Sequence, residues 1–140
     1  MSDAPAFALH ADLERDCVQV CDLDLCRVLL MDDANYPWLV LVPMRSDKRD
    51  FHDLTHADQQ LLCDEITRCS LAMVELYGPD KMNVAALGNM TPQLHVHVIA
   101  RWTTDAAWPG PIWGKVPRAA YETTALETRV GELRGALDGA

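Results

Sequence analysis

The sequence predicts an α+β fold in which helices pack against one antiparallel sheet. Several short apolar segments have the length of strands and are linked by turns, which favours hairpin-like antiparallel pairing. One long segment in the middle of the chain and another at its end carry apolar residues at three- and four-residue steps, the spacing of amphipathic helices. Strands, a long central helix, further strands and a C-terminal helix, in that order, are typical of this fold class.

The strands are predicted from their residue patterns. Residues 17–21 alternate in polarity, whereas residues 25–31 and 38–42 are almost continuously apolar, as in a strand covered on both faces. Pro43 ends the third strand because proline has no backbone N–H to give to a neighbour. Two more strands are predicted at residues 81–87 and 94–101, joined by a glycine- and proline-containing turn at residues 88–92.

The central helix has signals at both ends. Thr55 is the predicted N-cap, Asp58 lies three residues further on, and Gly78-Pro79 ends the helix. Its apolar face comprises Leu62, Ile66, Cys69, Met73 and Leu76. The C-terminal helix carries Leu126, Val130 and Leu133 on one face.

Length and charge limit the classes of function. The chain has 140 residues, so we expect one domain over residues 1–140, with a core at about 17–101 and a C-terminal loop and helix at 102–140. Its net charge of −9 argues against broad nucleic-acid binding and against adhesion to anionic membranes. A small anionic ligand is not excluded, because one concave site can be locally positive on a negative protein.

The chain shows no sign of export. Its N-terminus lacks the basic and apolar regions of a secretion signal, and no apolar run approaches the ~18–20 residues of a membrane span. The five cysteines are odd in number and form no C-x-x-C pair, which is typical of free thiols in a reducing compartment. We therefore expect a cytoplasmic protein.

The segment Gln93-Leu-His-Val-His-Val-Ile99 is the candidate site. In a strand, Gln93, His95 and His97 share one face, with the imidazoles about 7 Å apart, while Leu94, Val96, Val98 and Ala100 share the core face. The residues alone leave three interpretations open. The histidines lie on an exposed sheet, they bind a metal ion with a third ligand that has no recognisable motif, or one of them is a nucleophile that attacks phosphorus.

The same segment resembles a known family. P-Q-L-H-V-H-V-I-A-R is similar to the histidine triad signature, His-φ-His-φ-His-φ-φ, with glutamine in the first triad place. Upstream, the stretches at residues 27–32, 38–43 and 83–89 resemble the family's nucleoside-pocket strands and its phosphate-contacting turn. The resemblance runs from about Cys17 to Arg101.

The resemblance implies a homodimer that cleaves a purine nucleoside phosphoramidate or a dinucleoside polyphosphate through a covalent nucleotidyl-histidine. His95 falls on the nucleophile and His97 on the residue that contacts the phosphate and helps the leaving group. Four further positions are expected to bind the nucleotide: Asn89 at the phosphate, Asp32 at the ribose, Asn83 near a second nucleotide contact, and Gln93 in the first triad place. No metal ion or cofactor is required. One alternative is a nucleotide-binding regulatory protein with weak or no catalysis, because the triad is broken. Another is a protein that binds a metal ion through His95 and His97.

Two departures from the family pattern affect the predicted chemistry. Gln93 replaces the first histidine, and the nucleophile is unaffected if that position acts through its backbone carbonyl towards the His95 ring. If the imidazole of the family pattern itself shuttles protons, turnover is slower or its pH profile is altered; we favour the first interpretation. Trp38 stands where many members have a histidine, and an indole is neither an acid nor a base. In the proline- and glycine-rich segment that follows the last strand, Trp108 and Trp113 are candidates for a lid over the site or for a subunit contact.

Overall fold

The computed structural model describes residues 6–138, and at its centre lies a five-stranded antiparallel sheet. The strands are β1 (Cys17–Asp22), β2 (Cys26–Met31), β3 (Trp38–Pro43), β4 (Lys81–Ala85) and β5 (Val96–Arg101), in the spatial order β1-β2-β3-β5-β4. Every neighbouring pair is antiparallel. The predicted α+β class is confirmed.

Three helices accompany the sheet: α1 (Ala11–Asp16), α2 (His56–Tyr77) and α3 (Thr123–Asp138). The Thr55 side chain accepts a hydrogen bond from the Asp58 N–H at the start of α2, and Gly78 ends the helix in the left-handed conformation with φ 58°. Both ends therefore lie where the sequence predicts them. Within residues 6–138, none of the helices combines the length and the apolar character needed to cross a membrane.

The sheet is covered on both faces. α2 and α3 pack on one face, where their apolar residues meet alternate side chains of the strands in the larger core cluster. The other face is covered by the N-terminal segment and by the loop that follows β5, with Leu13, Ile112 and Trp113 among the contacting residues. This double cover explains why all six residues of β3 and all six of β5 are buried.

The two strands nearest the candidate site are shorter than predicted. β4 ends at Ala85 rather than at residue 87, and β5 begins at Val96 rather than at residue 94. The Leu94 N–H donates to the Lys48 carbonyl oxygen, in a loop, at 2.9 Å, instead of to a neighbouring strand. His95 therefore lies in a loop at the entrance to β5, while His97 lies within the strand.

Helix α1 was not predicted. It has only six residues, and its N-cap is His10, whose ring Nδ1 accepts from the Asp12 N–H at 3.0 Å. Histidine is not among the preferred N-cap residues, so the local sequence gives little signal. A tertiary contact supports the helix, since the Thr91 hydroxyl donates to the Asp12 carboxylate at 2.7 Å.

A buried carboxylate ties α2 to the sheet. Glu65 is 5% exposed, and its two oxygens accept from the backbone N–H groups of Leu25 and Cys26 at 2.9 and 2.8 Å. Leu25 precedes β2 and Cys26 is its first residue. Glu65 thus fixes the helix against the β1–β2 turn.

We expect Glu65→Ala to lower the free energy of unfolding by about 2–4 kcal/mol, because two buried N–H groups lose their acceptor. Glu65→Gln keeps one acceptor oxygen and should lose roughly half as much. Urea denaturation followed by circular dichroism measures both. Equal stability of the wild type and Glu65→Ala would show that water replaces the carboxylate without cost.

Candidate active site

The two histidines of the candidate site are buried side by side. His95 is 7% exposed and His97 is 5% exposed, so neither lies on an exposed sheet surface. Their ring centroids are 4.9 Å apart in an edge-to-face arrangement, closer than the distance predicted for alternate residues of a regular strand. The rings converge because His95 precedes β5 and its ring turns back towards the backbone of Gln93.

The His95 ring is held by a backbone carbonyl. Its Nδ1 lies 2.7 Å from the Gln93 carbonyl oxygen. A carbonyl can only accept, so Nδ1 carries the proton of the neutral ring and Nε2 keeps its lone pair. This is the tautomer that a nucleophilic imidazole requires.

The His97 ring has a different partner. The Trp38 indole N–H donates to His97 Nδ1 at 2.9 Å, from the neighbouring strand β3. Burial, together with the nearby His95, lowers the pKa of His97 to about 4. His97 is therefore neutral at pH 7.

Aromatic rings enclose His97. The Trp113 ring lies edge-on to His97, with centroids 5.0 Å apart, and edge-on to Trp38 at 6.3 Å. Trp113 thus covers the site from the loop after β5. Trp108 contacts the Arg101 guanidinium instead, at 5.7 Å, and does not line the cleft.

Arg101 holds the loop that carries Trp113. This side chain is 1% exposed and donates to the Asp105 carboxylate at 2.7 and 3.0 Å and to the Gly110 carbonyl at 2.9 Å. It also donates to the Asn83 side-chain oxygen at 2.8 Å. Arg101 therefore links β4, the end of β5 and the loop after β5 that carries Trp113, here called the covering loop.

An open cleft leads to the histidine pair. Besides His95 and His97, its walls come from β2 and β3, from the turn that follows β4, from α1 and from the covering loop: Met31, Trp38, Leu87, Gly88, Asn89, Met90, Thr91, Asp12, Leu13, Asp16 and Trp113. Apolar and aromatic walls with few polar groups are typical of small-molecule sites. The sequence did not indicate the contribution of α1, including the two carboxylates of Asp12 and Asp16.

The Gln93 side chain clamps the N-terminal segment. Its oxygen accepts from the His10 N–H at 2.8 Å, and its nitrogen donates to the Ala8 carbonyl at 2.9 Å. These bonds place the segment just before α1, which forms one wall of the cleft. Gln93 therefore contacts the His95 ring through its backbone and holds the cleft wall through its side chain.

Of the residues predicted to contact the nucleotide, Asn89 lines the cleft beside His95 and His97. Asp32 and Asn83 do not line it. Asp32 follows β2, and its carboxylate accepts from the Arg118 side chain at 2.8 Å and from the Tyr121 N–H at 2.9 Å. Asn83 lies opposite Ile99, two positions along β4 from the residue opposite His97, and holds Arg101.

A metal ion bound by His95 and His97 would need a third ligand. In the part of the chain that the structure describes, no group of three or more His, Cys, Asp or Glu side chains is arranged to hold a metal ion. Moreover, Nδ1 of each site histidine is already engaged with a protein group.

Comparison with known proteins identifies the family. The model of the HIT domain matches residues 12–104. The chain belongs to the histidine triad (HIT) family. A search of curated proteins found no match.

Solved HIT structures resemble this chain closely. The histidine triad protein blr8122 from Bradyrhizobium japonicum is 47% identical with a TM-score of 0.93, and the match covers 95% of this chain and 99% of that one. A histidine triad protein from Marinobacter aquaeolei VT8 is 44% identical with a TM-score of 0.93, over 96% and 98% of the two chains. The protein SMc02904 from Sinorhizobium meliloti 1021 is 39% identical with a TM-score of 0.91, over 94% and 97%.

We expect Gln93→Ala to retain activity within about an order of magnitude, because the backbone carbonyl that orients His95 remains. The same variant should speed hydrogen exchange at the His10 N–H, which loses its acceptor. Steady-state kinetics and amide exchange monitored by mass spectrometry measure the two effects. Loss of activity as complete as in a His95 variant, with hydrogen exchange of the segment before α1 unchanged, would assign the chemistry to the Gln93 side chain.

Proposed function

We propose that this HIT-family protein cleaves a purine nucleoside phosphoramidate or a dinucleoside polyphosphate through a nucleotidyl-His95 intermediate. The observation that carries the proposal is the His95 ring, with Nδ1 tied to a carbonyl at 2.7 Å and Nε2 left with a lone pair in an open cleft. Membership of the family supports nucleotide binding or hydrolysis as the general activity.

The reaction has two displacements at phosphorus. In the first, the Nε2 lone pair of His95 forms a P–N bond, the bond from phosphorus to the leaving group breaks, and its electron pair departs with that group. The His95 ring becomes cationic, and the Gln93 carbonyl stabilises the proton on Nδ1. In the second, water attacks phosphorus, the P–N bond to His95 breaks with its electron pair returning to Nε2, and the proton lost by the water passes to solvent, which leaves the free imidazole.

Hydrogen-bond donors that the fold holds in position stabilise the negative charge on the substrate phosphate. His97, the Asn89 side chain and the backbone N–H groups of the Gly88 turn border the same cleft as His95. Fixed donors of this kind stabilise the transition state because they need no reorganisation as charge develops. Gly88 has φ 79°, a conformation that glycine adopts readily and that the turn beside the histidines requires.

The nucleoside contacts are assigned to Asp32 and Asn83, which lie outside the set of residues that line the cleft around His95. Within residues 6–138, each Asp32 side-chain oxygen accepts one hydrogen bond, and a carboxylate has about four acceptor positions, so capacity remains for ribose hydroxyls. The Asn83 oxygen is committed to Arg101, which leaves its NH₂ group as a donor. Gln93 contributes through its carbonyl and by holding the cleft wall.

The net charge of the chain, −9, favours substrates that carry little negative charge. Asp12 and Asp16 line the same cleft as His95, and Arg15 pairs with both carboxylates, at 3.3 Å to Asp12 and 2.9 Å to Asp16, so that the three side chains together keep one negative charge. Carboxylates repel a polyphosphate more strongly than a phosphoramidate, and salt screens this repulsion. We therefore favour a phosphoramidate as the substrate, with faster turnover of polyphosphates as ionic strength rises.

We expect His95→Ala to lower kcat/KM for an adenosine phosphoramidate by at least about 10³-fold, because the nucleophile is lost. The wild type, quenched during turnover, should carry an added nucleotidyl mass that His95→Ala lacks, as measured by intact mass spectrometry. His52→Ala is the matched control, since His52 lies on the surface with its side chain 83% exposed. Turnover by His95→Ala at the wild-type rate would refute the proposal, and nucleotide binding without turnover in the wild type would favour the regulatory alternative.

A homodimer is the proposed assembly. β4 is an edge strand of the sheet, and its Val84 side chain is 48% exposed. On α2, Leu71 and Val74 are 62% and 44% exposed. An unpaired edge beside exposed apolar side chains is suited to pairing with a second copy.

We expect Val84→Asp to shift the protein from dimer to monomer at micromolar concentration, because a carboxylate would be buried in the interface. Light scattering after size-exclusion chromatography measures the mass. Thr128→Asp adds the same charge on the exposed side of α3 and should leave the mass unchanged. A monomeric wild type would contradict the proposed assembly.

A further inference from the structure

The contact between Trp38 and His97 has a chemical consequence. Trp38 begins β3 opposite Ile99, so its indole reaches diagonally across the strand pair to the His97 ring. The bond is 2.9 Å long, and the two residues are 9% and 5% exposed. Few waters can compete for either nitrogen at this depth.

The direction of this hydrogen bond fixes the proton of His97. An indole N–H can only donate, so His97 Nδ1 must accept and cannot hold a proton at the same time. The single proton of the neutral ring therefore resides on Nε2. His95 has the opposite arrangement, with its proton on Nδ1 and its lone pair on Nε2. The two neighbouring imidazoles are thus held in complementary tautomers by one carbonyl and one indole.

The Nε2–H group of a neutral imidazole can donate a hydrogen bond, but it is a very weak acid. Release of that proton would leave an imidazolate, and the indole could not replace the proton through Nδ1, because it is neither an acid nor a base near neutral pH. The alternative, a cationic His97, is opposed by burial and by His95 at 4.9 Å between ring centroids. His97 is thereby suited to hydrogen bonding and unsuited to proton delivery.

We propose that Trp38 is a positioning residue that holds His97 as a neutral hydrogen-bond donor to the phosphate, so that the leaving group takes its proton from water. This inference rests on the proposed function and refines it. As the bond from phosphorus to the leaving group breaks, its electron pair goes to the departing nitrogen or oxygen, which takes a proton from a water molecule in the cleft. The hydroxide that remains takes up the proton lost by the attacking water of the second step. Among phosphoramidates, those with weakly basic leaving amines are then the preferred class, because little driving force is needed to protonate a nitrogen that leaves easily.

Nitrogen NMR on the uniformly ¹⁵N-labelled protein without substrate tests the tautomer directly. In the wild type we expect the proton of His97 on Nε2, an unprotonated Nδ1, and a scalar coupling across the hydrogen bond between Trp38 Nε1 and His97 Nδ1. A proton on Nδ1 of His97 would overturn the proposal. This measurement requires neither turnover nor a variant, so it remains decisive if the proposed reaction is wrong or if a variant does not fold.

Two tryptophan variants separate the hydrogen bond from packing. Trp38→Phe keeps an aromatic ring and removes the N–H, so His97 should populate both tautomers, and kcat should fall about 3- to 10-fold with little change in KM. Trp113→Phe is the matched control for the tautomer, because Trp113 contacts the same ring at 5.0 Å without a hydrogen bond to it. An unchanged His97 spectrum in Trp38→Phe would overturn the proposal.

A series of leaving groups tests the source of the proton. With adenosine phosphoramidates and phosphate esters of graded leaving-group pKa, we expect kcat of the wild type to fall steeply as that pKa rises. A rate independent of leaving-group pKa would show that an enzyme group delivers the proton, and would overturn the proposal. If no member of the series is cleaved, the proposed function fails, and the NMR result alone decides the state of His97.

Discussion

The site depends on the burial of two imidazoles at one end of a strand that is covered on both faces. A buried ring nitrogen without a partner is costly, so each ring must find a donor or an acceptor inside the protein. His95 finds the Gln93 carbonyl, and His97 finds the Trp38 indole. Because one partner can only accept and the other can only donate, the same bonds that make burial tolerable also decide where each proton lies. Stability and chemistry therefore share one set of contacts.

Gln93 acts on the site in two separate ways, through its backbone and through its side chain. Its backbone carbonyl orients the His95 ring, and any other residue at this position would present the same group. The glutamine side chain adds something different, because an amide both donates and accepts and can bind two backbone groups of the N-terminal segment. The segment then brings Asp12 and Asp16 to the cleft. The Gln93 side chain thus helps to set the shape of the cleft wall.

On the side of the loop after β5, the site depends on the buried Arg101 guanidinium. Arg101 donates to the Asp105 carboxylate and to the Gly110 carbonyl, and these hydrogen bonds hold the loop that carries Trp113. A buried guanidinium is tolerated only when its donors are satisfied, and here the acceptors come from the loop and from β4. The loop therefore folds as part of the same network. Trp113, which closes one side of the His97 ring, depends on it.

Local sequence determined the sheet and the long helix, because strand alternation, the Thr55 cap and the Gly78 stop act over a few residues. It also placed His95 and His97 on one face, and the motif allowed the family to be identified. Tertiary structure alone decided the rest. Helix α1 is too short and too weakly capped to be recognised, and it forms against Thr91, 79 residues away in sequence. The partners of the ring nitrogens were beyond local inference too, since the Trp38–His97 bond spans 59 residues and exists only because β3 and β5 are neighbours in the sheet.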